Sequence, residues 1–263
     1  MDKEQTLTPL ADHRMQLIMT LLANRGECRV RELAEQFKLS EMTVRRDLQE
    51  LEARGLLKRV HGGAVLISHD VGYPQRVQQG QAQKQRIGQA AAALLRNGMA
   101  IYLDAGTTAM EMARAIRSGL PDIRQLSIVT HGINIATELS GQTPYSLHLI
   151  GGEVYQNAFS TVGPAALEQI AGFHFDLFFM GAGGVDPSAG WTNSNHQEAQ
   201  VKRAVMARAA ETCAIVGSDK WGQRTFAPVA RFDEVQRWIV DQHLPAGARQ
   251  MAGDAGMSLI YAD

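Results

Sequence analysis

Two domains of different class are predicted, a small helical one first and an α/β one built on a parallel sheet behind it. Three observations predict this. The chain has 263 residues, and domains run to roughly 100–200 residues. A polar stretch, LISHDVGYPQRVQQGQAQKQ, interrupts it with Gly72, Pro74 and Gly80, the punctuation of a linker running into a new helix. Beyond it, short apolar runs alternate with Ala-rich helical stretches, which is the pattern of a parallel sheet covered on both faces. The expected boundaries are 1–68 for the first domain, 69–83 for the linker and 84–263 for the second domain.

Composition narrows the function classes. Hydrophobic residues make up 45% and charged residues 20%, which excludes a largely disordered chain. Lys+Arg is 26 and Asp+Glu is 27, so there is no global basic footprint and nucleic-acid binding would need a local patch. Residues 1–70 hold 11 basic and 11 acidic side chains and the remainder 15 and 16, so only pattern can identify a DNA reader. Cys28 and Cys213 are too few for a disulfide framework or a structural zinc. No apolar run nears the roughly 18 residues of a membrane span. The N-terminus lacks the basic-then-apolar order of a secretory signal. A soluble cytoplasmic protein without metal or cofactor is expected.

The first helix, DHRMQLIMTLLANRG, carries Met15, Ile18, Met19 and Leu22 as a one-sided apolar stripe and stops at Gly26. The second, RVRELAEQF, sets Leu33, Ala34 and Phe37 on one side, and Lys38-Leu39 turns the chain. Ser40 caps the third, EMTVRRDLQELEARG, which Gly55 ends. At about 100° per residue, Leu48 and Leu51 fall within roughly 40° of Val44, so these three face the core. Met42, Gln49 and Arg46 lie on the opposite side, flanked by Arg45 and Thr43. LLKRV and AVLI form a hairpin across His61-Gly62-Gly63, a wing from which Lys58 and Arg59 reach phosphates.

Arg45-Arg46 alone would read as a solvated helix face. Two helices joined by a short turn, a capped third helix and a Gly-Gly hairpin together read as a winged helix-turn-helix, whose third helix meets base edges. Arginine suits guanine, glutamine suits adenine, and the Thr and Met methyls suit thymine. The candidate DNA-binding residues are Ser40, Met42, Thr43, Arg45, Arg46, Gln49, Lys58, Arg59 and His61. The partner is double-stranded DNA.

The run LAEQFKLSEMTVRRDLQELEARGLLKRVHGGA resembles the DeoR family of bacterial transcription regulators, through its S-x-x-T-[IV]-R-R-D-L and H-G-G-A motifs. The resemblance implies Thr43, Arg45 and Arg46 at the operator. Asp47 is expected to orient an arginine or cap locally, because phosphates repel a carboxylate.

In the second domain the apolar runs MAIYLDAG, LSIVTHG, YSLHLIGG, DLFFMGAGG, CAIVGSD and RWIVD read as strands, with helices over 107–118, 132–140, 163–171 and 196–211. Their turns carry anion chemistry. Asp104 ends a strand, Gly106 lets a ligand approach the backbone, and Thr107-Thr108 open a helix. Thr130, His131 and Asn134 sit at the next strand end, and Gly151-Gly152 at another. Ligands of open parallel sheets lie outside the carboxyl ends of strands. Glu198 and Lys202, four apart, read either as a surface pair or as site residues, and Lys220 as a phosphate partner.

The family resemblance extends over residues 74–250. It implies an effector domain similar to ribose-5-phosphate isomerase and related sugar-phosphate enzymes, with D-A-G-T-T, G-G-E and E-A-Q-V-K matching. Two positions depart from the family pattern: His131 stands for the usual Asn after Thr130, and Gly217-Ser218-Asp219-Lys220 for D-x-[ST]-K. The expected protein is a repressor of a sugar-catabolism operon. It binds a phosphorylated sugar through Asp104, Gly106, Thr107, Thr108, Thr130, His131, Asn134, Gly151, Gly152, Glu198, Lys202 and Lys220. It works as a homodimer or homotetramer, because symmetric operators demand one. The alternatives are a phosphosugar isomerase with an accessory DNA-binding domain and a purely structural DNA-binding protein.

Overall fold

The computed structural model describes residues 14–15, 17–18, 21–22, 27–53, 57–60, 62–65, 72–141 and 144–263. The chain divides into two compact units, Met1–His69 and Asp70–Asp263. Met19, Gly26, Gly55 and His61, all used in the sequence reading, lie outside the described residues.

In the first unit, residues 14–15, 17–18 and 21–22 are helical, and Met15, Ile18 and Leu22 are buried. Helices α1 (Val30–Phe37) and α2 (Glu41–Ala53) follow, separated by Lys38 in the left-handed region. Val44, Leu48 and Leu51 of α2 join Leu33 and Leu57 in one core, the stripe that periodicity demands. The wing strands are β2 (Lys58–Val60) and β3 (Gly63–Val65). A third strand, β1 (Glu27–Arg29), pairs with β3, so the sheet runs β1-β3-β2 and is antiparallel. Gly63 makes this possible: a Cβ there would stand 2.1 Å from the Cys28 carbonyl oxygen.

The second unit opens earlier than the sequence suggests. The stretch read as linker carries α3 (Tyr73–Gln78), and α4 (Gln81–Ala92) begins before residue 84. Pro74 sits in the first turn of α3, where its missing N–H costs nothing. The predicted strands and helices follow as β4 (Ala100–Leu103), α5 (Thr107–Arg117), β5 (Ser127–Thr130), α6 (Ile133–Leu139) and β6 (Ser146–Leu149). After the hairpin β7 (Glu153–Tyr155) and β8 (Ser160–Val162) come α7 (Pro164–Ala171) and β9 (Phe175–Met180). The chain continues through β10 (Gly184–Asp186), β11 (Gly190–Asn193), α8 (His196–Met206), β12 (Ala209–Ile215), β13 (Ala227–Ala230), β14 (Arg237–Asp241), α9 (Ala246–Asp254) and β15 (Ser258–Ala262).

Seven parallel strands run in the order β15-β14-β12-β9-β4-β5-β6. The inner strands of the sheet are buried on both faces. Ile101, Leu103, Leu177 and Phe179 enter one core with Ile87 and Met112 from the helices, while Tyr102, Phe178 and Met180 enter the other with Val201 and Trp238. Progress along the sheet reverses between β4 and β9. A crevice at the carboxyl ends opens at such a reversal.

Candidate functional site

The reading face of α2 is set by what α2 buries. Met42 is 79% exposed. Arg45, Arg46 and Gln49 are exposed, Thr43 is half-buried, and Ser40 just before the helix is exposed. Ser40 caps α2: its Oγ accepts the Thr43 N–H at 3.2 Å. Arg45 Nη2 donates to Glu41 Oε2 at 2.6 Å. The Arg59 N–H donates to Glu52 Oε1 at 2.8 Å, which ties β2 to α2. Of Lys58 only the backbone is described. Asp47 points inward and accepts both arms of Arg14, from Nε at 2.6 Å and Nη2 at 2.8 Å, so it does orient an arginine.

In the second unit the structure brings Asp104, His131, Glu198 and Lys202 into one buried cluster at the β4–β9 reversal. Asp104 follows β4. Its Oδ1 accepts the Ala105 N–H at 2.9 Å, and its Oδ2 accepts the Gly181 N–H at 2.6 Å and the Lys202 ammonium. Lys202 also donates to the Gly181 carbonyl at 3.0 Å. Glu198 accepts from the Ser160 hydroxyl. His131 Nδ1 lies 2.9 Å from the Tyr102 hydroxyl, and its Nε2 is 3.7 Å from Asp104 Oδ1 and 3.6 Å from Glu198 Oε1.

The surface-pair reading of Glu198 and Lys202 is therefore wrong: both are buried, Glu198 on Ser160 and Lys202 on Asp104 and the Gly181 carbonyl. Lys202 neutralises Asp104 and is not left as countercharge for a ligand. Asp104 braces the 104–106 loop. Thr130 is buried and accepts the Gly132 N–H at 3.0 Å. Gly151 and Gly152 make the turn from β6 into β7, with the Gly151 N–H on Gln169 Oε1 at 3.0 Å.

Burial pushes the Glu198 carboxyl up, but His131, Lys202 and Ser160 outweigh it and hold it at about 2. Burial and the two carboxylates push the Tyr102 phenol well above its usual range, so it stays a neutral hydroxyl. The depressed Glu198 value stabilises the fold at pH above about 4.5, and that stability is lost as pH falls from there through about 2. Acid titration by circular dichroism is expected to show a loss of up to about 3 kcal/mol across this window, absent in Glu198→Gln. A stability curve that is flat from pH 5 to 2 would refute this.

Gly106 is open: nothing stands within 4 Å of where a Cβ would lie. It leads into the first turn of α5 with Thr107 and Thr108. Lys220 follows β12, 3.1 Å from Asp219 Oδ2. The sequence reading missed Lys84, in the first turn of α4. It donates to the Arg76 carbonyl and to the Gln79 carbonyl at 2.5 Å. Burial lowers its pKa and the charge of Lys220 lowers it further. Gly88, one turn on, lets α4 approach α5 so closely that a Cβ would stand 2.6 Å from the Met112 nitrogen. In sequence, Gln-Lys-Gln reads as a solvated helix face, and nothing local marks the lysine.

A model of the DeoR C-terminal sensor domain matches residues 79–242, and one of the DeoR-like helix-turn-helix domain matches residues 14–70. The chain belongs to the DeoR family. This DeoR-family protein is 34% identical to the uncharacterized HTH-type transcriptional regulator YulB of Bacillus subtilis over 92% of this chain and 93% of that one. It is 32% identical to the HTH-type transcriptional regulator GlpR of Haloferax volcanii, over 95% and 98%. It is 29% identical to the glycerol-3-phosphate regulon repressor of Escherichia coli, over 92% and 95%. Among solved structures, ribose 5-phosphate isomerase A of Methanocaldococcus jannaschii gives a TM-score of 0.40 at 16% identity, over 54% and 55% of the two chains; a likeness of that size says nothing further about this chain. The protein is thus a DNA-binding transcriptional regulator with a C-terminal sensor domain. Among the described residues, no helix is long and apolar enough to cross a membrane.

Proposed function

We propose that this regulator represses a sugar-catabolism operon and is released from its operator by a phosphorylated sugar. The observation that carries the reading is the brace of Asp104 by Lys202 and Gly181. It fixes an open Gly106-Thr107-Thr108 turn at the sheet reversal. Helix N–H groups and two hydroxyls suit a phosphate, and Lys220, at the end of β12, is proposed as its countercharge. The relative named as a glycerol-3-phosphate regulon repressor supports repression and a metabolite of this class. The protein is a cytoplasmic homodimer or homotetramer, as a two-fold operator requires, and not an enzyme.

The test is a gel-shift titration on DNA flanking the gene, with a panel of pentose, hexose and triose phosphates as releasing agents. Thr108→Val and Lys220→Ala are expected to bind operator normally and to lose release by at least tenfold in effector concentration. Release that is unchanged in both would move the site elsewhere. Turnover of ribose 5-phosphate at about 1–10³ s⁻¹ would favour the isomerase alternative instead.

On the DNA side, Arg46→Ala is expected to weaken operator binding by about 1–3 kcal/mol and relax preference at one base pair. Lys58→Ala should weaken all sequences alike and flatten the salt dependence. Binding arrays at two salt concentrations separate the two, and a sequence-independent loss in Arg46→Ala would remove it from the reading face.

A further inference from the structure

Phe159 is one of two non-glycine residues at positive φ among the described residues, at φ 53°. A bulky side chain there is held against its preference and persists only where its surroundings fix it. Its carbonyl accepts the Ile133 N–H at 2.8 Å, which pins β8 over the start of α6. The residue is nevertheless 44% exposed, and its ring packs edge-on against Tyr73, centroids 5.5 Å apart. Tyr73 is 8% exposed. Its hydroxyl comes up beside Asn134, yet among the described residues neither that hydroxyl nor either polar atom of the Asn134 amide closes a well-formed hydrogen bond. Burial pushes the Tyr73 phenol up, so it remains a neutral donor.

Buried polar atoms are nearly always bonded, and several unbonded ones together call for an explanation. The Asn134 amide is near the braced turn in the chain's fold, and the Tyr73 hydroxyl is beside Asn134. Gly132 sits so close to Ala105 that a Cβ on it would stand 3.0 Å from the Ala105 Cα, and Asn134 is two residues on. Tyr73 feels the charges of Glu111 and Arg114, which share an α5 stripe with Thr107. The arrangement offers a neutral donor, an amide that both donates and accepts, and an aromatic face. It offers no charge of its own.

We propose that Tyr73, Asn134 and Phe159 form the subsite for the uncharged, hydroxyl-bearing body of the effector. Asn134 and Tyr73 exchange hydrogen bonds with its hydroxyls, and the Phe159 ring covers its C–H face. This rests on the phosphorylated-sugar reading and adds where the sugar, as distinct from the phosphate, is recognised.

The test is calorimetric titration of the full chain with fructose 6-phosphate, ribose 5-phosphate, glycerol 3-phosphate and inorganic phosphate. Tyr73→Phe, which keeps the ring packing, and Asn134→Ala are each expected to weaken the tightest sugar phosphate about two- to tenfold. Inorganic phosphate should stay within twofold of wild type. Phe159→Asn places a residue that tolerates the left-handed backbone and should weaken the same sugar phosphate about tenfold, again sparing inorganic phosphate. Unchanged sugar-phosphate affinity in all three variants overturns the subsite and leaves the phosphosugar reading standing. Equal losses for sugar phosphate and inorganic phosphate overturn it too, because the residues then serve the fold or the phosphate. A wild type that prefers no sugar phosphate over inorganic phosphate overturns both readings.

Discussion

Asp47→Ala is expected to abolish operator binding, although Asp47 faces away from the reading side of α2. Its carboxylate is buried and takes both arms of the Arg14 fork, at 2.6 and 2.8 Å. That bond joins α2 to the first helical segment across the core that holds Ile18, Leu22, Val44 and Leu48. Removing one partner of a buried ion pair costs about 3–5 kcal/mol. A unit of this size has little more than that in total, because a small domain buries a smaller fraction of its surface. The first unit should therefore be mostly unfolded at 37 °C. The second unit, with its own two cores, should keep its melting transition.

Calorimetric melting of wild type and variant would show the lower transition lost and the upper one kept. A gel shift would show no specific complex even at low salt. The double variant Arg14→Met with Asp47→Leu removes both charges from the interior and should recover most of the lost stability, as apolar replacements of buried pairs commonly do. Operator affinity within tenfold of wild type in Asp47→Ala would mean the pair does not hold the reading helix in place.

What was legible in the sequence follows from where each side chain's partner lies. Val44, Leu48 and Leu51 announce the inner face of α2 because a helix repeats its core contacts within its own sequence. The runs AIYL, SIVT and FDLFFM read as parallel strands because both of their faces are buried, so alternation disappears. Strand β1 did not show: Cys28 meets the core, Arg29 is exposed, and its partner β3 lies far along the chain. Residues 69–83 read as a linker because Gly72, Pro74 and Gly80 are breakers. Here Pro74 starts a helix, and Gly80, at φ 58°, only turns the chain between two of them.

The site shows the same division. Asp104, Gly106, Thr107 and Thr108 stand out in the sequence because a strand end and a helix start are local features. Glu198 and Lys202 were seen but half misread, since spacing on a helix says nothing about Ser160 or Asp104, which the fold brings to them. Lys84, Tyr73 and Phe159 were missed for that reason, their significance being set by residues remote in sequence.

Lys202→Met is the sharper test of the second unit. The ammonium of Lys202 is the cation that Asp104 bonds, and it also helps hold Glu198 at about 2. Without it, two carboxylates remain inside, and the cost at neutral pH should again be about 3–5 kcal/mol. For a unit of this size that corresponds to a fall of about 10 °C in melting temperature. The pH dependence should change sign as well. In wild type, Glu198 is depressed below its unfolded value of 4.5, so acid costs stability between about pH 4.5 and 2. In the variant a buried carboxylate lacks that cation and takes up a proton more readily in the folded state, so lowering the pH restores part of the loss. The melting deficit should therefore shrink between pH 7 and pH 4. The same change in pH should leave Arg46→Ala, in the other unit, no closer to wild type. A deficit under about 3 °C at neutral pH, or one that widens as pH falls, would show that the Asp104–Lys202 bond does not carry the architecture of the site.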